Sequence, residues 1–176
     1  VREHVDELLA DDAIAEAPDR VPATYRLDPG TIRVDPDAVT VVGERTSGEA
    51  EFALLCTDRA TYVTAASDHT DRSIERHGIQ RAKQIAPDAL SAGAWRLADV
   101  PAWDRLRLRA WTVVDGERRR YQDATLGELL APDDLRATVR ERYGGPLAGT
   151  AVCSGTVPTV DGELRHGERF AVELAD

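Results

Sequence analysis

Two runs decide the fold: Glu49-Ala50-Glu51-Phe52-Ala53-Leu54-Leu55-Cys56 and, a short turn later, Thr61-Tyr62-Val63-Thr64-Ala65-Ala66, which leads into Ser67-Asp68-His69-Thr70-Asp71-Arg72. Both runs are rich in β-branched, aromatic and aliphatic residues and are set off by polar residues, which predicts neighbouring strands. Strand side chains alternate between faces, so Glu49 and Glu51 point the same way. Two carboxylates side by side repel unless a cation lies between them. Taken alone, the pair also describes a solvent-facing strand edge. Asp68 leaves the next strand in sequence, and such neighbours often pair in space. Three oxygens from Glu49, Glu51 and Asp68 would give Mg²⁺ or Mn²⁺ a hard, anionic partial shell, with water and substrate completing it.

Outward from this pair, strands are expected at Thr31–Val34, Ala38–Gly43, Leu106–Val114, Thr150–Ser154 and Arg169–Leu174. Asp115-Gly116, between Leu106–Val114 and Arg118–Tyr121, is a strong hairpin signal. Helix is expected over Val1–Ala17, Leu126–Leu130 and Asp133–Tyr143, the last closed by Gly144-Gly145-Pro146. A helical turn is expected near 70–76, capped by Asp68 or Thr70. No repeat or linker divides the sequence. The class is α+β, mainly β, organised as one domain over residues 1–176.

Composition narrows the function classes. The 176 residues carry 32 acidic and 22 basic side chains, a net charge of -10. Phosphate backbones and anionic membranes select basic surfaces, so neither nucleic acid nor a membrane is an expected partner. Hydrophobic content of 42% with 31% charge describes a globular chain rather than a disordered one. Cys56 and Cys153 set neither a disulfide framework nor a zinc pattern, and are expected as reduced core thiols of a cytoplasmic protein. No methionine occurs, even at position 1, so the stretch is expected to begin inside a longer polypeptide.

Lys83 is the only lysine among the 22 basic residues. A position that keeps lysine in so arginine-biased a chain suits a compact point charge or a proton donor, although one surface lysine surviving by chance reads the same. His4 and Glu7 lie three apart in the expected first helix and share a face. A histidine oriented by a carboxylate is a general base for water; a surface helix pair is the plain alternative. His69 joins Asp68, Thr70 and Arg72 in a dense polar cluster. Ser154-Gly155-Thr156 follows a strand, and such small residues let backbone N–H groups approach an anion.

The order of these features resembles the fumarylacetoacetate hydrolase superfamily. In that family a metal-binding E-x-E precedes a stretch matched here by Ser67-Asp68-His69-Thr70-Asp71-Arg72-Ser73-Ile74-Glu75. A lysine segment follows, matched by Arg81-Ala82-Lys83-Gln84, then a hairpin matched from Asp115-Gly116 to Gln122. A closing turn is matched by Ser154-Gly155-Thr156-Val157-Pro158, and the stretch Leu164 to Glu168 resembles the family's segment before its last strand. The family's N-terminal H-x-x-E resembles His4-Val5-Asp6-Glu7. Within the superfamily, the strings Thr46 to Glu51, Ser67 to Arg72 and Lys83-Gln84 look most like a bacterial subgroup called DUF2848. Three positions depart from the family pattern: Glu75 stands where glutamine is usual, His69 where an apolar or small residue is usual, and Val157 is extra.

The resemblance implies a mixed β-roll with few short helices and a metal held by Glu49, Glu51 and Asp68. It implies action on a 2-oxo or β-diketo acid, by C–C hydrolysis first, or by decarboxylation or hydration/dehydration. His4, oriented by Glu7, would deprotonate water, and Lys83 would stabilise an oxyanion or protonate a carbanion. Arg72, Glu75, Thr156 and His69 would contact substrate, and the segment 1–17 would act as a lid. It also implies a homodimer with a small oxo-acid as substrate. A non-catalytic binding protein on the same fold is the alternative from another class.

Overall fold

The computed structural model describes residues 22–176. The expected helix Val1–Ala17, with His4 and Glu7, lies outside the described residues.

Among the described residues, ten strands form three sheets. The largest has the order β1 (Ile32–Val34), β6 (Asp88–Arg96), β4 (Thr61–Asp68), β3 (Ala50–Cys56) and β9 (Thr150–Cys153). Its pairs are antiparallel except β1 with β6, so the sheet is mixed. The second sheet orders β10 (Arg169–Ala175), β7 (Arg107–Val114) and β8 (Glu117–Thr125), and a small third pairs β2 (Thr46–Ser47) with β5 (Thr70–Asp71). Three α-helices also lie among the described residues, α1 (Arg72–Glu75), α2 (Ile79–Ile85) and α3 (Pro132–Tyr143), with four short 3-10 helices.

Alternation along β3 explains why it is central. Ala50, Phe52, Leu54 and Cys56 face a core shared with Val63, Leu106, Leu108, Tyr121, Leu126, Leu135 and Val152. Ala53 faces the other way and meets Ala66 and Leu90, with Leu55 beside them. Burial on both faces demands a nearly continuous apolar run, which this segment supplies. Phe52 is fully buried and stacks edge-on against Trp103 at 4.8 Å between centroids. Such a side chain contributes about 1.5–3 kcal/mol through burial alone.

The hairpin between β7 and β8 turns at Asp115-Gly116, whose φ angles of 52° and 77° fit the left-handed turn that tracks strand twist. Helix α3 starts with proline in its first turn and ends at Gly144, with φ of 68°. Cys56 and Cys153 are both free thiols.

Two local expectations need correction, and one strand was not expected. Ala38–Gly43 forms no strand; the segment runs along the surface, with Val42 80% exposed, and the short strand falls at Thr46–Ser47 instead. The first helical turn is capped by Asp71, not Asp68 or Thr70: its carboxylate accepts from Ser73 N–H at 3.0 Å. Strand β6 carries no sequence signal of its own, because Ala, Ser and Gly fill most of it and it holds no β-branched residue.

Candidate functional site

The site lies where β3, β4 and β6 end together. Glu49 and Asp68 exchange both backbone hydrogen bonds, each at 3.1 Å. Asp68 in turn stands opposite Asp88 across β4 and β6. Glu49, Asp68 and Asp88 therefore form a row across three chain segments, and Glu51 lies two residues along the same face as Glu49. One carboxylate oxygen from each of Glu49, Glu51 and Asp68 falls within 4.8 Å of the others, and all three residues are buried. The expected trio is thus brought together.

Lys83, on α2, reaches into this cluster. Its Nζ donates to Asp68 Oδ2 at 2.5 Å, to Glu49 Oε2 at 2.8 Å and to the Thr70 hydroxyl at 3.4 Å. Arg72 opens α1 behind Glu49. Its Nη2 donates to Glu49 Oε1 at 2.8 Å, its Nη1 to Glu75 Oε2 at 2.9 Å and its Nε to Ser47 Oγ at 2.7 Å. The guanidinium and Glu75 are thus engaged with the protein itself, and both act through Glu49 rather than standing free in the cleft.

Glu51 is held from the opposite side. Gly155 N–H donates to its Oε2 at 3.0 Å. Gly155 has φ of 84°, a left-handed conformation that glycine adopts without strain. The anion that this small-residue turn approaches is the protein's own carboxylate. Thr156 donates to Ala50 O at 3.0 Å and accepts from Gln122 Nε2 at 2.8 Å. Gln122 Oε1 accepts from Ala50 N–H at 2.9 Å, so this buried amide clamps the turn onto β3. His69 is half-buried between Asp68 and Thr70.

The electrostatics follow from burial and charge count. Glu49, Glu51, Asp68 and Glu75 face two cations, Lys83 and Arg72, which leaves two negative charges when every group is ionised. Burial opposes the Glu49 charge, but Lys83 and Arg72 outweigh it and hold this carboxyl well below the usual range. Glu51 goes the other way: burial, then the neighbouring Asp68 and Glu49, push it well up. Asp68 is also raised, by burial and by Glu49, against the pull of Lys83. Burial alone would favour a neutral lysine, yet Glu49, Asp68 and Glu51 hold the Lys83 ammonium well above its ordinary range. Burial and the charge of Arg72 lower His69. Asp88 is raised to about 7, by burial first and then by Asp68.

These residues fit a hard divalent cation. The donors are all carboxylate oxygens, the uncompensated charge is negative, and Asp68 Oδ1 is buried with no hydrogen-bond partner among the described residues. Sequence reasoning missed Asp88 and the way Arg72 is spent on Glu49 and Glu75. The first depends on the register of a strand the sequence did not announce, and the second on side-chain packing.

Fold and site together define a mainly β protein that carries a buried acidic cluster at the end of a curled, mixed sheet. Solved structures share this fumarylacetoacetate hydrolase-like β-roll. The crystal structure of Cg1458 is similar with a TM-score of 0.62 and 17% identity, covering 83% of this chain and 63% of that one. The 2-keto-3-deoxy-D-arabinonate dehydratase complexed with magnesium and 2,5-dioxopentanoate gives a TM-score of 0.63 at 17% identity, covering 85% of this chain and 56% of that one. The chain therefore spans less than two-thirds of either structure's length, and the likeness is one of fold. Residues 1–176 match the family described as "Protein of unknown function (DUF2848)", and the chain belongs to that family. No curated protein matches the sequence. No helix among the described residues is long and apolar enough to cross a membrane.

Proposed function

We propose that this chain is a divalent-metal enzyme acting on a 2-oxo or β-diketo acid, a member of the fumarylacetoacetate hydrolase superfamily. Glu49, Glu51 and Asp68 hold Mg²⁺ or Mn²⁺. The observation that carries the reading is the buried carboxylate cluster, whose negative charge exceeds that of its own cations. A protein of similar fold bound to magnesium and 2,5-dioxopentanoate supports the ion and the substrate class.

When bound, the ion supplies Lewis-acid polarisation of the substrate's oxo oxygen and a template for its carboxylate. The protein's own groups do the rest. Lys83 keeps its proton at Nζ across ordinary pH, so it acts as a fixed positive charge for developing negative charge and as a proton donor, not as a base. Arg72 and Glu75 orient Glu49. The Gly155 N–H and the Gln122–Thr156 clamp orient Glu51. His69, with its pKa lowered, is neutral near pH 7 and offers substrate a hydrogen-bonding ring at the cluster's edge. The Ser154–Thr156 turn supplies the facing wall.

The reaction class we favour is C–C hydrolysis, with His4 and Glu7 activating water from the segment before residue 22. Dehydration is the second reading, favoured by the similar fold of the named dehydratase. A panel of 2-oxo and acylpyruvate acids, incubated with Mg²⁺ or Mn²⁺ and followed by NMR, separates them. Hydrolysis yields two shorter products, dehydration one product lighter by water, and decarboxylation releases CO₂. Turnover should vanish in EDTA. A chain that binds neither ion and turns over nothing is a binding protein on this fold. The homodimer belongs to the same proposal and is read by light scattering.

A further inference from the structure

We propose that the exposed end of β6, Ala92–Arg96, pairs with the same segment of a second copy of this chain, and that the contact also covers the groove beside it. The proposal rests on the homodimer reading above and names its surface; it makes no use of the metal centre.

Strand β6 has neighbours on both edges only at its start. β1 accompanies it as far as Leu90, whose carbonyl accepts from Asp35 N–H at 2.9 Å. Beyond a bulge, Ala94–Arg96 pair with β4 alone, so among the described residues the other edge of this end meets no strand. Residues Ala92–Arg96 are all exposed, and because side chains alternate, both faces of the strand are bare. Four of the five are uncharged, none is proline, and Trp95 is 41% exposed. Such an edge is a template for another strand. Gly93 has no cause within the chain. Its φ is not left-handed, and a Cβ there would meet only Ser91 Oγ, at an ordinary 3.5 Å. A strand glycine free of both constraints fits a place where another backbone approaches closely.

The segment is complementary to itself. A two-fold axis sets a strand antiparallel to its own copy, the geometry that edge pairing needs. With Ala94 on the axis, Gly93 stands opposite the partner's Trp95, whose indole fills the space the glycine leaves. A cavity of about 710 Å³ adjoins the edge, lined among others by Val63, Trp95, Trp111, Arg118, Val172 and Glu173. Its far wall is β10, itself the last strand of its sheet. The lining carries both signs. Arg118 stacks on Trp111 at 4.6 Å and makes no ion pair among the described residues, and Glu173 supplies the anion. A copy meeting its like across such a groove can bring cation to anion, whereas a groove of one sign would repel itself. Five strand residues span only about 17 Å. That is too little for the roughly 800 Å² each partner buries in a stable dimer, so the contact has to take in the groove as well.

The test is the mass of the full chain in solution, read by light scattering over a dilution series for wild type, Gly93→Val and Trp95→Lys. Wild type should weigh two chains. Gly93→Val suits the isolated strand, since valine favours strands and its Cβ meets nothing close, yet it occupies the place of the partner's indole. Trp95→Lys removes the indole and charges the edge. Each variant should raise the dimer Kd by about 30-fold or more, the loss expected when an anchoring aromatic contact is removed. Thermal unfolding confirms that the chains compared are folded, and Gly93→Val carries the test alone if Trp95→Lys does not fold. A folded variant that dimerises as tightly as wild type overturns this surface and leaves the homodimer standing. A wild-type chain that weighs one chain at every concentration overturns both. Mn²⁺ calorimetry on the same samples keeps the enzyme reading separate: a wild-type dimer that binds no Mn²⁺ but dissociates in both variants supports this surface while removing the metal centre.

Discussion

Replacing Lys83 with Met keeps most of the stem volume and removes the ammonium. In the folded chain that ammonium lies 2.8 Å from Glu49 Oε2 and 2.5 Å from Asp68 Oδ2, and the three side chains are 9–11% exposed. Removing one partner of a buried ion pair costs about 3–5 kcal/mol, because it strands the other charge. Here two carboxylates are stranded and Arg72 reaches only one of them. At about 2–4 °C per kcal/mol for a chain of this size, Tm should fall by roughly 6–20 °C at pH 7 in EDTA. The loss depends on pH in a defined direction. Glu49 is held below its unfolded value, so its stabilising contribution exists above that value and is lost as pH falls through the folded one. Lys83 is held above its unfolded value, so its contribution is full below that value and is lost only as strongly alkaline pH is reached. The gap between wild type and variant should therefore be widest near pH 7 and narrow toward pH 4, where the stranded carboxylates take up protons. Mn²⁺ at 100 times its Kd should return about 2.7 kcal/mol to the variant. Differential scanning calorimetry reads all three effects. A fall of less than about 2 °C in EDTA at pH 7 would refute the reasoning, since the carboxylates would then not depend on the ammonium.

Glu51→Gln replaces a buried carboxyl whose ionised form its neighbours oppose, so Tm in EDTA should hold or rise while Mn²⁺ affinity drops more than about tenfold; unchanged affinity would take Glu51 out of the ligand set. Because the Glu51 carboxyl is raised, an incoming ion displaces a proton. Mn²⁺ affinity should therefore climb as pH rises, with calorimetry in buffers of different ionisation enthalpy showing proton release; a flat profile without release contradicts this. Gly155→Ala meets no atom within 4 Å of the new Cβ, so its cost is the left-handed backbone alone, about 1–2 kcal/mol. It should also weaken Mn²⁺ binding by loosening the N–H that holds Glu51, and denaturant midpoints with parallel titrations check both.

What the sequence announces is what local physics controls. Strands β3 and β4 and the Asp115-Gly116 hairpin were legible because alternation and left-handed turn chemistry act over a few residues. Ala38–Gly43 has the composition of a strand and forms none, because propensity does not supply a partner and this segment lies exposed beside no free edge it pairs with. Strand β6 is the converse: its composition argues against it, and its place is fixed by pairing with β4 on one side and β1 on the other. The same division runs through the site. Glu49, Glu51 and Asp68 were legible from alternation and strand adjacency, and Lys83 from its singularity among arginines. Asp88 was not, since its meaning comes only from standing opposite Asp68. Nor was the double engagement of Arg72, which requires Glu49 and Glu75 to converge from different elements.

A cluster of this kind is a poor device for holding a fold together. Well-packed apolar side chains in place of a buried ionic group are often neutral or stabilising, so the stability of this chain rests on the Phe52, Leu54, Leu108 and Tyr121 core and not on the acids. Two features then belong together. The core face of β3 is fully apolar, whereas the opposite face begins with two glutamates and becomes apolar only at Ala53. The strand thus supports the fold along its whole length on one side and surrenders only its first turn of the pleat, on the other, to charge. With Lys83 and Arg72 in place, the remaining imbalance is small enough for the folded chain to tolerate, through the raised Glu51 and Asp68 carboxyls. A divalent cation that expels the Glu51 proton would relieve that imbalance, so ion affinity and folding stability draw on the same electrostatic strain. Substitutions that ease the strain without the ion, such as Glu51→Gln, should therefore exchange affinity for stability, whereas substitutions that deepen it, such as Lys83→Met, should make the fold depend on the ion.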